Sequence, residues 1–437
     1  MGNYMSLSKT KYNGSGPSLS EEELLAEYQQ RLNGWSTYKT ELFPLLNYYK
    51  LEGVQTNKYP IFYVQTSKAT ALETQINENS RKIKLISGNL PGVAELSYVK
   101  RGLVQEIYST NEIEGVKTNK VELGTVAGEV LNSKRSGLKT KRLESTFVLY
   151  HDAIQGRIIK IHSLKDFRTI YDQILHGEIN EDDLPNGNLF RNKKVFIGTD
   201  DGAIIRHRPP VNEKLINDQL LPLISFMNRD GILPATKAVI SHFMFENTHP
   251  FVDGNGRMGR YLLSAYLSLK YDMFTGLSIS QSIYSNRDRY YNLFKEAGDA
   301  NNMADLTMFV EGMLKIIRDG QEDVILNLQE LEDSLEESDE YLSTNLDNYF
   351  EKTGYDEQDK SRMHSIMYVI LQSQLFSGGI GDTITLKELS DHLKESLQMP
   401  VSQTQKLVRL LEKDEIITKV KKRPIQYRIN EAFLTKY

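Results

Sequence analysis

Cysteine is absent from all 437 residues, which excludes disulfides, thiolate metal sites and cysteine nucleophiles. A chain without thiols fits a reducing compartment, and a cytoplasmic location is expected. Long apolar runs are missing too. No stretch approaches the ~20 residues needed to cross a bilayer, and the first residues lack the charged-then-apolar layout of a leader, so no membrane association is expected. Met1-Gly2-Asn3-Tyr4-Met5-Ser6 fits the loose N-myristoylation pattern, but no polybasic cluster follows to supply a second anchor. An excess of positive charge is also lacking. At a net −5 the chain as a whole is no nucleic-acid surface, although a local basic patch is compatible with that balance. Internal repeats and low-complexity tracts are absent.

What is present is globular in composition, 39% hydrophobic and 25% charged, and long enough for several domains. Residues 1–17 read as a flexible tail. Residues 18–120 form an N-terminal helical region, opened by a capping box at Ser18-Leu19-Ser20-Glu21 and interrupted by a polar, irregular middle around Gly53 to Pro60. Residues 121–318 form a second helical block with one strand-like insert: Lys194 to Gly198 and Ala203 to Arg206 flank Asp200-Asp201-Gly202, which predicts a β-hairpin. Residues 319–360 hold 15 acidic side chains against two lysines. Leu328, Leu331, Leu335, Leu342, Leu346 and Tyr349 recur there at helical spacing, so this piece reads as an acidic connecting helix. Residues 361–437 reverse the balance, with 12 Lys and Arg against eight acids. Helices over Met363–Leu375, from Thr385, and over Ser402–Lys413 precede strands Ile416–Val420 and Ile425–Ile429, the pattern of a winged helix-turn-helix.

The chemistry concentrates in His249-Pro250-Phe251-Val252-Asp253-Gly254-Asn255-Gly256-Arg257-Met258-Gly259-Arg260. A helix begins near Pro234 and precedes it; another follows from Tyr261 to about Leu269. Gly254 and Gly256 let backbone approach a ligand closely, and helix-start amides point at an anion. Arg257 and Arg260 are three apart, so both can reach one polyphosphate. Asp253 is a hard oxygen ligand suited to Mg²⁺, Asn255 can donate to a phosphate oxygen, and His249 titrates near neutral pH. Together these make a phosphoryl- or nucleotidyl-transfer site. Gly254-x-Gly256-x-x-Gly259 also satisfies the dinucleotide fingerprint, but a helical pattern stands where that fold needs a strand. His242, Glu246 and His249 do not match the usual zinc-helix spacing.

These twelve residues resemble the Fic-family signature, His-x-Phe-x-(Asp/Glu)-Gly-Asn-Gly-Arg-x-x-Arg, at every defined position. The resemblance spans roughly residues 91–315 and implies a mainly α fold: the Fic helical fold with a β-hairpin flap, here with the C-terminal winged helix-turn-helix added. It implies a protein adenylyltransferase using ATP as co-substrate and Mg²⁺ held by Asp253. His249 is then the base that deprotonates a Tyr, Thr or Ser hydroxyl, and Gly254, Asn255, Gly256, Arg257 and Arg260 hold the phosphates. Val195, Phe196 and Ile197 resemble the flap that docks a target segment, and Tyr291 and Asn292 the lining of the nucleotide base. Thr110-Asn111-Glu112-Ile113-Glu114-Gly115 is similar to the family's inhibitory pattern, with Glu114 occupying Arg260. Removal of AMP is implied as a second activity. Relatives of this fold transfer UMP, phosphate or phosphocholine; the phosphate branch carries a lysine where this chain has Gly256, so AMP leads. The expected partner is a target protein, with self-modification and homo-oligomerisation left open. Lys419, Lys421, Lys422 and Arg423 on the wing, and Gln403, Gln405, Lys406 and Arg409 on its helix, suit either DNA or a protein, so a DNA-binding regulator is the alternative function.

Overall fold

The computed structural model describes residues 4–12, 18–49, 51, 53–132, 143–198, 205–378 and 383–435. The chain is mainly helical, and its contacts divide it into two compact units. One comprises Met1–Arg81, Glu106–Lys117 and Gly137–Glu322; the other comprises Lys82–Gln105, Thr118–Ser136 and Asp323–Tyr437. In chain order the elements begin with α1 (Leu7–Tyr12), α2 (Glu21–Leu32), β1 (Thr37–Lys39), β2 (Leu46–Asn47), β3 (Gln55–Thr56) and β4 (Phe62–Val64). Then come α3 (Ser67–Asn89), α4 (Gly92–Ile113), α5 (Lys120–Asn132), α6 (Glu144–Ile154) and α7 (Leu164–Ile174). The hairpin β5 (Ile197–Gly198) with β6 (Ile205–His207) leads to α8 (Glu213–Met227), α9 (Pro234–Thr248) and α10 (Asn255–Lys270). After these follow α11 (Met273–Leu277), α12 (Ile279–Ser285), α13 (Arg287–Ala297) and α14 (Thr307–Phe350). The last elements are α15 (Glu357–Phe376), α16 (Leu386–Leu397), α17 (Val401–Lys413), β7 (Ile417–Lys422) and β8 (Ile425–Ile429).

In the first unit α10 is the central helix. It packs against α6, α7, α9, α11 and α12, which is why eleven of its residues, Arg257 and Arg260 among them, are buried. Pro234 starts α9 at the first helical position, where its missing N–H costs nothing. α10 begins at Asn255, six residues before the expected Tyr261, because Gly254 adopts φ 79° and serves as the helix N-cap. The glycines that looked like loop are the helix start.

Other expectations shift as well. Residues 7–12, inside the expected flexible tail, are α1: Leu7 is fully buried, its N–H donates to Asn302 Oδ1 at 3.1 Å, and the Tyr4 hydroxyl donates to Asp305 at 2.6 Å. The capping box of α2 forms between Ser20 and Glu23, two residues beyond the expected Ser18 and Glu21, in the register that buries Leu24 and Tyr28. The irregular stretch before α3 contains two antiparallel pairs, β1 with β4 and β2 with β3. Strands of two or three residues carry no alternation to read.

In the second unit, Leu328, Leu335, Leu342 and Leu346 of α14 are buried on one stripe, as their spacing predicts. α15 starts at Glu357, with Asp356 as its N-cap, and packs on α16, α17 and β8. The capping box Thr385–Glu388 opens α16, and β7 pairs antiparallel with β8. Among the described residues no helix is long and apolar enough to cross a membrane.

Candidate active site

His249 ends α9 with φ 47°, a left-handed conformation that a residue with a side chain adopts at a cost of order 1–2 kcal/mol. Its backbone is held from both sides. The His249 N–H donates to the Phe245 carbonyl at 2.9 Å, and Arg191 Nε donates to the His249 carbonyl at 2.9 Å. Arg191 is completely buried, and its Nη1 also donates to the carbonyls of Lys193 and Pro210, at 2.8 and 2.7 Å. A single guanidinium therefore ties both flanks of the hairpin segment to the histidine. Burial alone pulls its pKa down to about 10. The His249 imidazole is also held neutral: burial first, then the nearby His207 and Arg191, lower it to about 3.

The loop after His249 is pinned to α7. Phe251 is fully buried and stacks on Tyr171, ring centroids 3.6 Å apart and 10° from parallel. A Cβ on Gly254 would come within 2.1 Å of Leu175, so only glycine fits there. Asn255, expected to reach a phosphate, is instead consumed by the loop. Its Oδ1 accepts from the Phe251 N–H and its Nδ2 donates to the Phe251 carbonyl, both at 2.9 Å. Buried inside the helix start, it shapes the cradle rather than offering a donor to it. The first amides of α10 have no intrahelical acceptor and remain the anion-directed groups.

Arg257 is 5% exposed and pairs with Glu178 at 3.1 Å and with Asp253 at 3.3 Å. Asp253 is half exposed, and its Oδ1 accepts from the Gly254 N–H at 2.5 Å. Among the described residues no group of three or more His, Asp or Glu side chains gathers to cage a metal. One exposed carboxylate beside a helix start fits Mg²⁺ held jointly with substrate phosphates and water.

Arg260 is almost completely buried, and the structure brings Glu114 to it: Nη2 donates to Glu114 Oε1 at 2.6 Å. Arg260 also donates through Nε to Thr110 Oγ1 at 2.8 Å and through Nη2 to the Thr110 carbonyl at 3.2 Å. Burial works against its charge, but Glu114 first, then Tyr290 and Glu246, more than offset this and raise its pKa. The local backbone explains why a glycine follows Glu114. Gly115 takes φ 71°, its N–H bonds the Glu112 carbonyl at 3.2 Å, and the Val116 N–H bonds the Asn111 carbonyl at 2.9 Å. That is a Schellman close, with Glu114 at the C-cap of α4. A carboxylate at a helix C-terminus is electrostatically unfavourable, and Arg260 compensates for it. A Cβ on Gly256 would lie 2.2 Å from Glu114 Oε1, so this glycine is what lets the carboxylate in.

These groups share one cleft of about 380 Å³, lined among others by His249, Gly256, Arg260, Glu114, Ile197 and Tyr291. In the hairpin, Val195 is half-buried, Phe196 is 55% exposed and Ile197 faces the cleft, while the expected turn at Asp200-Asp201-Gly202 lies outside the described residues. Asn292 does not line the cleft. On α13 it is exposed and turned away, whereas Tyr290, Tyr291 and Phe294 line it. Residues 159–267, which contain most of these groups, match the family model described as Fic/DOC family. This chain carries a Fic/DOC-family domain.

Curated relatives agree with the Fic assignment. The chain is 28% identical over 139 residues to protein adenylyltransferase fic-1 of Caenorhabditis elegans, covering 31% of this chain and 24% of that protein. It is 43% identical over 70 residues to a probable protein adenylyltransferase of Aquifex aeolicus, covering 16% and 20%. Against protein adenylyltransferase Fic of Nematostella vectensis it is 26% identical over 221 residues, covering 48% and 46%. The chain thus spans less than half the length of these relatives. A solved Fic-family protein from Desulfovibrio desulfuricans aligns with 84% of this chain and 97% of its own, at 19% identity and a TM-score of 0.48.

Three residues around the cleft, Arg191, Glu178 and Glu106, escaped the sequence reading, and Glu246 entered it only within a rejected zinc spacing. Arg191 and Glu178 lie outside any short pattern. Glu106 had a readable signal: Glu106, Thr110 and Glu114 are spaced by four, so one face of α4 carries them all. Glu106 is fully buried, its carboxylate accepting from Ser280 N–H at 2.7 Å and Oγ–H at 2.6 Å, and burial pushes it up to about 7.

Proposed function

We propose that this chain transfers AMP from ATP to a Tyr, Thr or Ser hydroxyl of a target protein. The observation that carries the reading is the shared cleft: a strained, neutral histidine at the end of α9, the amide-bearing start of α10, and an arginine already paired with a carboxylate. His249 accepts the proton of the incoming hydroxyl through its imidazole. The hydroxyl oxygen bonds the α-phosphorus as the bond to the pyrophosphate oxygen breaks, and pyrophosphate leaves. A bound polyphosphate brings negative charge toward the imidazole and opposes the depression imposed by burial. The α10 amides and Arg260 hold phosphate oxygens, and Arg257 joins them by exchanging Asp253 or Glu178 for the ligand. Asp253 would hold Mg²⁺, which supplies charge neutralisation for the phosphates when bound. Phe196 and Ile197 offer the free strand to which an extended target segment adds. Tyr291 flanks the nucleotide.

Glu114 is the brake in this reading, because it occupies the guanidinium that the γ-phosphate needs. The same carboxylate, beside Gly256, suits positioning a water for AMP removal. The cytoplasm remains the proposed setting. The 361–437 module is proposed as a winged helix that meets protein rather than DNA. Some of the side chains expected to meet DNA face acids instead: Lys406 lies 3.7 Å from Asp359, Gln403 donates to Asp359 at 2.8 Å, and Lys419 pairs with Glu412 at 3.0 Å.

The test uses the full-length Glu114→Gly protein in cell lysate with ATP labelled at the α- or γ-phosphate, labelled UTP and a labelled phosphocholine donor. Label transferred from α-ATP alone is expected. Transfer of the γ label, or of uridylate or phosphocholine in preference, replaces this reading with another group-transfer chemistry.

A further inference from the structure

Two buried polar atoms in the cleft lack hydrogen-bond partners among the described residues: His249 Nδ1 and Glu246 Oε1. The other Glu246 oxygen, Oε2, stands 3.9 Å from that same Nδ1. Glu246 lies on the last turn of α9, three residues before His249, and the left-handed turn at His249 folds the imidazole back toward it. The carboxylate is packed flush against α10, where a Cβ on Gly259 would come within 2.1 Å of Oε1. Its side chain is 13% exposed and lines the cleft. A buried acid with an empty oxygen, beside a catalytic-loop imidazole with an empty nitrogen, is an arrangement that a purely structural acid does not need.

We propose that Glu246 is the positioning residue of His249 and sets which ring nitrogen carries the proton. Ionised, Glu246 accepts the Nδ1–H bond and leaves Nε2 bare to take the target's proton. Protonated, it donates its own hydrogen to Nδ1, which fixes the opposite tautomer, with Nε2–H, and that form cannot serve as the base. This rests on His249 being the base of the proposed transfer. The present 3.9 Å must close by about 1 Å, as catalytic hydrogen bonds do on ligand binding.

The surroundings connect this choice to the brake. Facing Glu246 are Arg260 on α10, Glu114 at the end of α4, Tyr290 and Tyr291 on α13, and His249 itself. Burial pushes Glu246 up to about 8, with Arg260 pulling it down and Glu114 pushing it up. Docked Glu114 favours the protonated form; once it leaves, Arg260 is no longer opposed and the balance moves toward ionised Glu246, which draws the Nδ1 proton. Glu114 then acts on the base as well as on the phosphate-binding arginine. The Glu246 main-chain carbonyl also faces the imidazole, too poorly aligned to satisfy Nδ1, and is the competing partner.

The experiment labels histidine with nitrogen-15 in the full chain and identifies His249 by the resonance lost in His249→Gln. At pH 7.5 the wild type should show the Nε2–H tautomer and Glu114→Gly the Nδ1–H tautomer. Glu114→Gly with Glu246→Leu should lose that preference. One tautomer throughout all three proteins overturns the proposal, and if that tautomer is Nδ1–H it assigns the proton to the carbonyl. In transfer, adding Glu246→Gln to Glu114→Gly should lower kcat about 10- to 100-fold while KM for ATP stays within about twofold. Unchanged kcat, or a loss confined to KM, also overturns it. If Glu114→Gly transfers no AMP at all, the proposed activity fails, while the tautomer comparison still decides the role of Glu246.

Discussion

At the scale of the residue, the contact between Glu114 and Gly256 is a tight constraint in the cleft. Because a Cβ at 256 would reach to 2.2 Å of the carboxylate, Gly256→Ala should destabilise the chain by about 1–3 kcal/mol. Most of that cost should vanish in the Glu114→Gly background, where only Arg260 Nη1, 3.0 Å from that Cβ, remains close. A double-mutant cycle by urea unfolding measures this coupling, and additive effects would mean the two residues do not meet. A second residue-scale expectation concerns protons. Burial lowers His242 to about 3, and its Nε2 meets the Tyr290 hydroxyl at 2.8 Å. Its folded pKa lies below the unfolded value of ~6.5, so the unfolded chain binds more protons between those limits. The stability it contributes is complete above about pH 6.5, falls as pH drops through that window, and is down by roughly 2 kcal/mol at pH 5. Glu246 and Glu106, raised to about 8 and about 7, have the opposite sign, stabilising less as pH rises. Measured against the wild type, His242→Gln should therefore gain roughly 2 kcal/mol in unfolding free energy as pH falls from about 7.5 to 5, and an unchanged difference would remove His242 from the balance.

At the scale of the element, what matters is how α9, the hairpin and α10 are held together. Arg191 supplies that link with hydrogen bonds to main-chain carbonyls alone, so Arg191→Leu leaves buried acceptors unpaired. We expect a loss of about 2–4 kcal/mol in unfolding free energy, with a fall in transfer to a protein target larger than the fall in ATP binding. Equal losses of both would show that the hairpin does not position the target. The twelve-residue motif and the order of helices could be read from the chain, because proline, the capping boxes and apolar spacing punctuate long elements. Arg191 could not, since a lone arginine in a polar loop looks like any solvated charge. Asn255 was misjudged for a related reason: its residue type suits a phosphate, but α10 starts at that residue and turns the amide onto Phe251. Asn292 failed on helical phase, one residue from the side chain that does face the cleft.

At the scale of the whole molecule, the cleft residues all fall within the first compact unit, and the Fic/DOC match covers residues 159–267. Thr110 and Glu114 precede that matched stretch by dozens of residues, yet both bond Arg260. The carboxylate and the arginine it meets thus lie in one unit. The 361–437 module belongs to the second unit, and its internal acid pairing leads to an expectation for the full chain. Gel retardation with duplex DNA should show no steep salt-dependent binding, since Lys406 and Lys419 face acids and the adjoining residues 319–360 carry 15 acidic side chains that repel phosphate. Strong retardation that weakens sharply with salt would favour the regulatory alternative. The central claim, that His249 drives AMP transfer under restraint by Glu114, is tested most directly by α-labelled ATP given to Glu114→Gly with and without His249→Ala. The account predicts strong labelling of protein by the single variant and a loss of ~10²–10⁴ in the double, with ATP binding held within a few-fold. Undiminished labelling without His249 would contradict it.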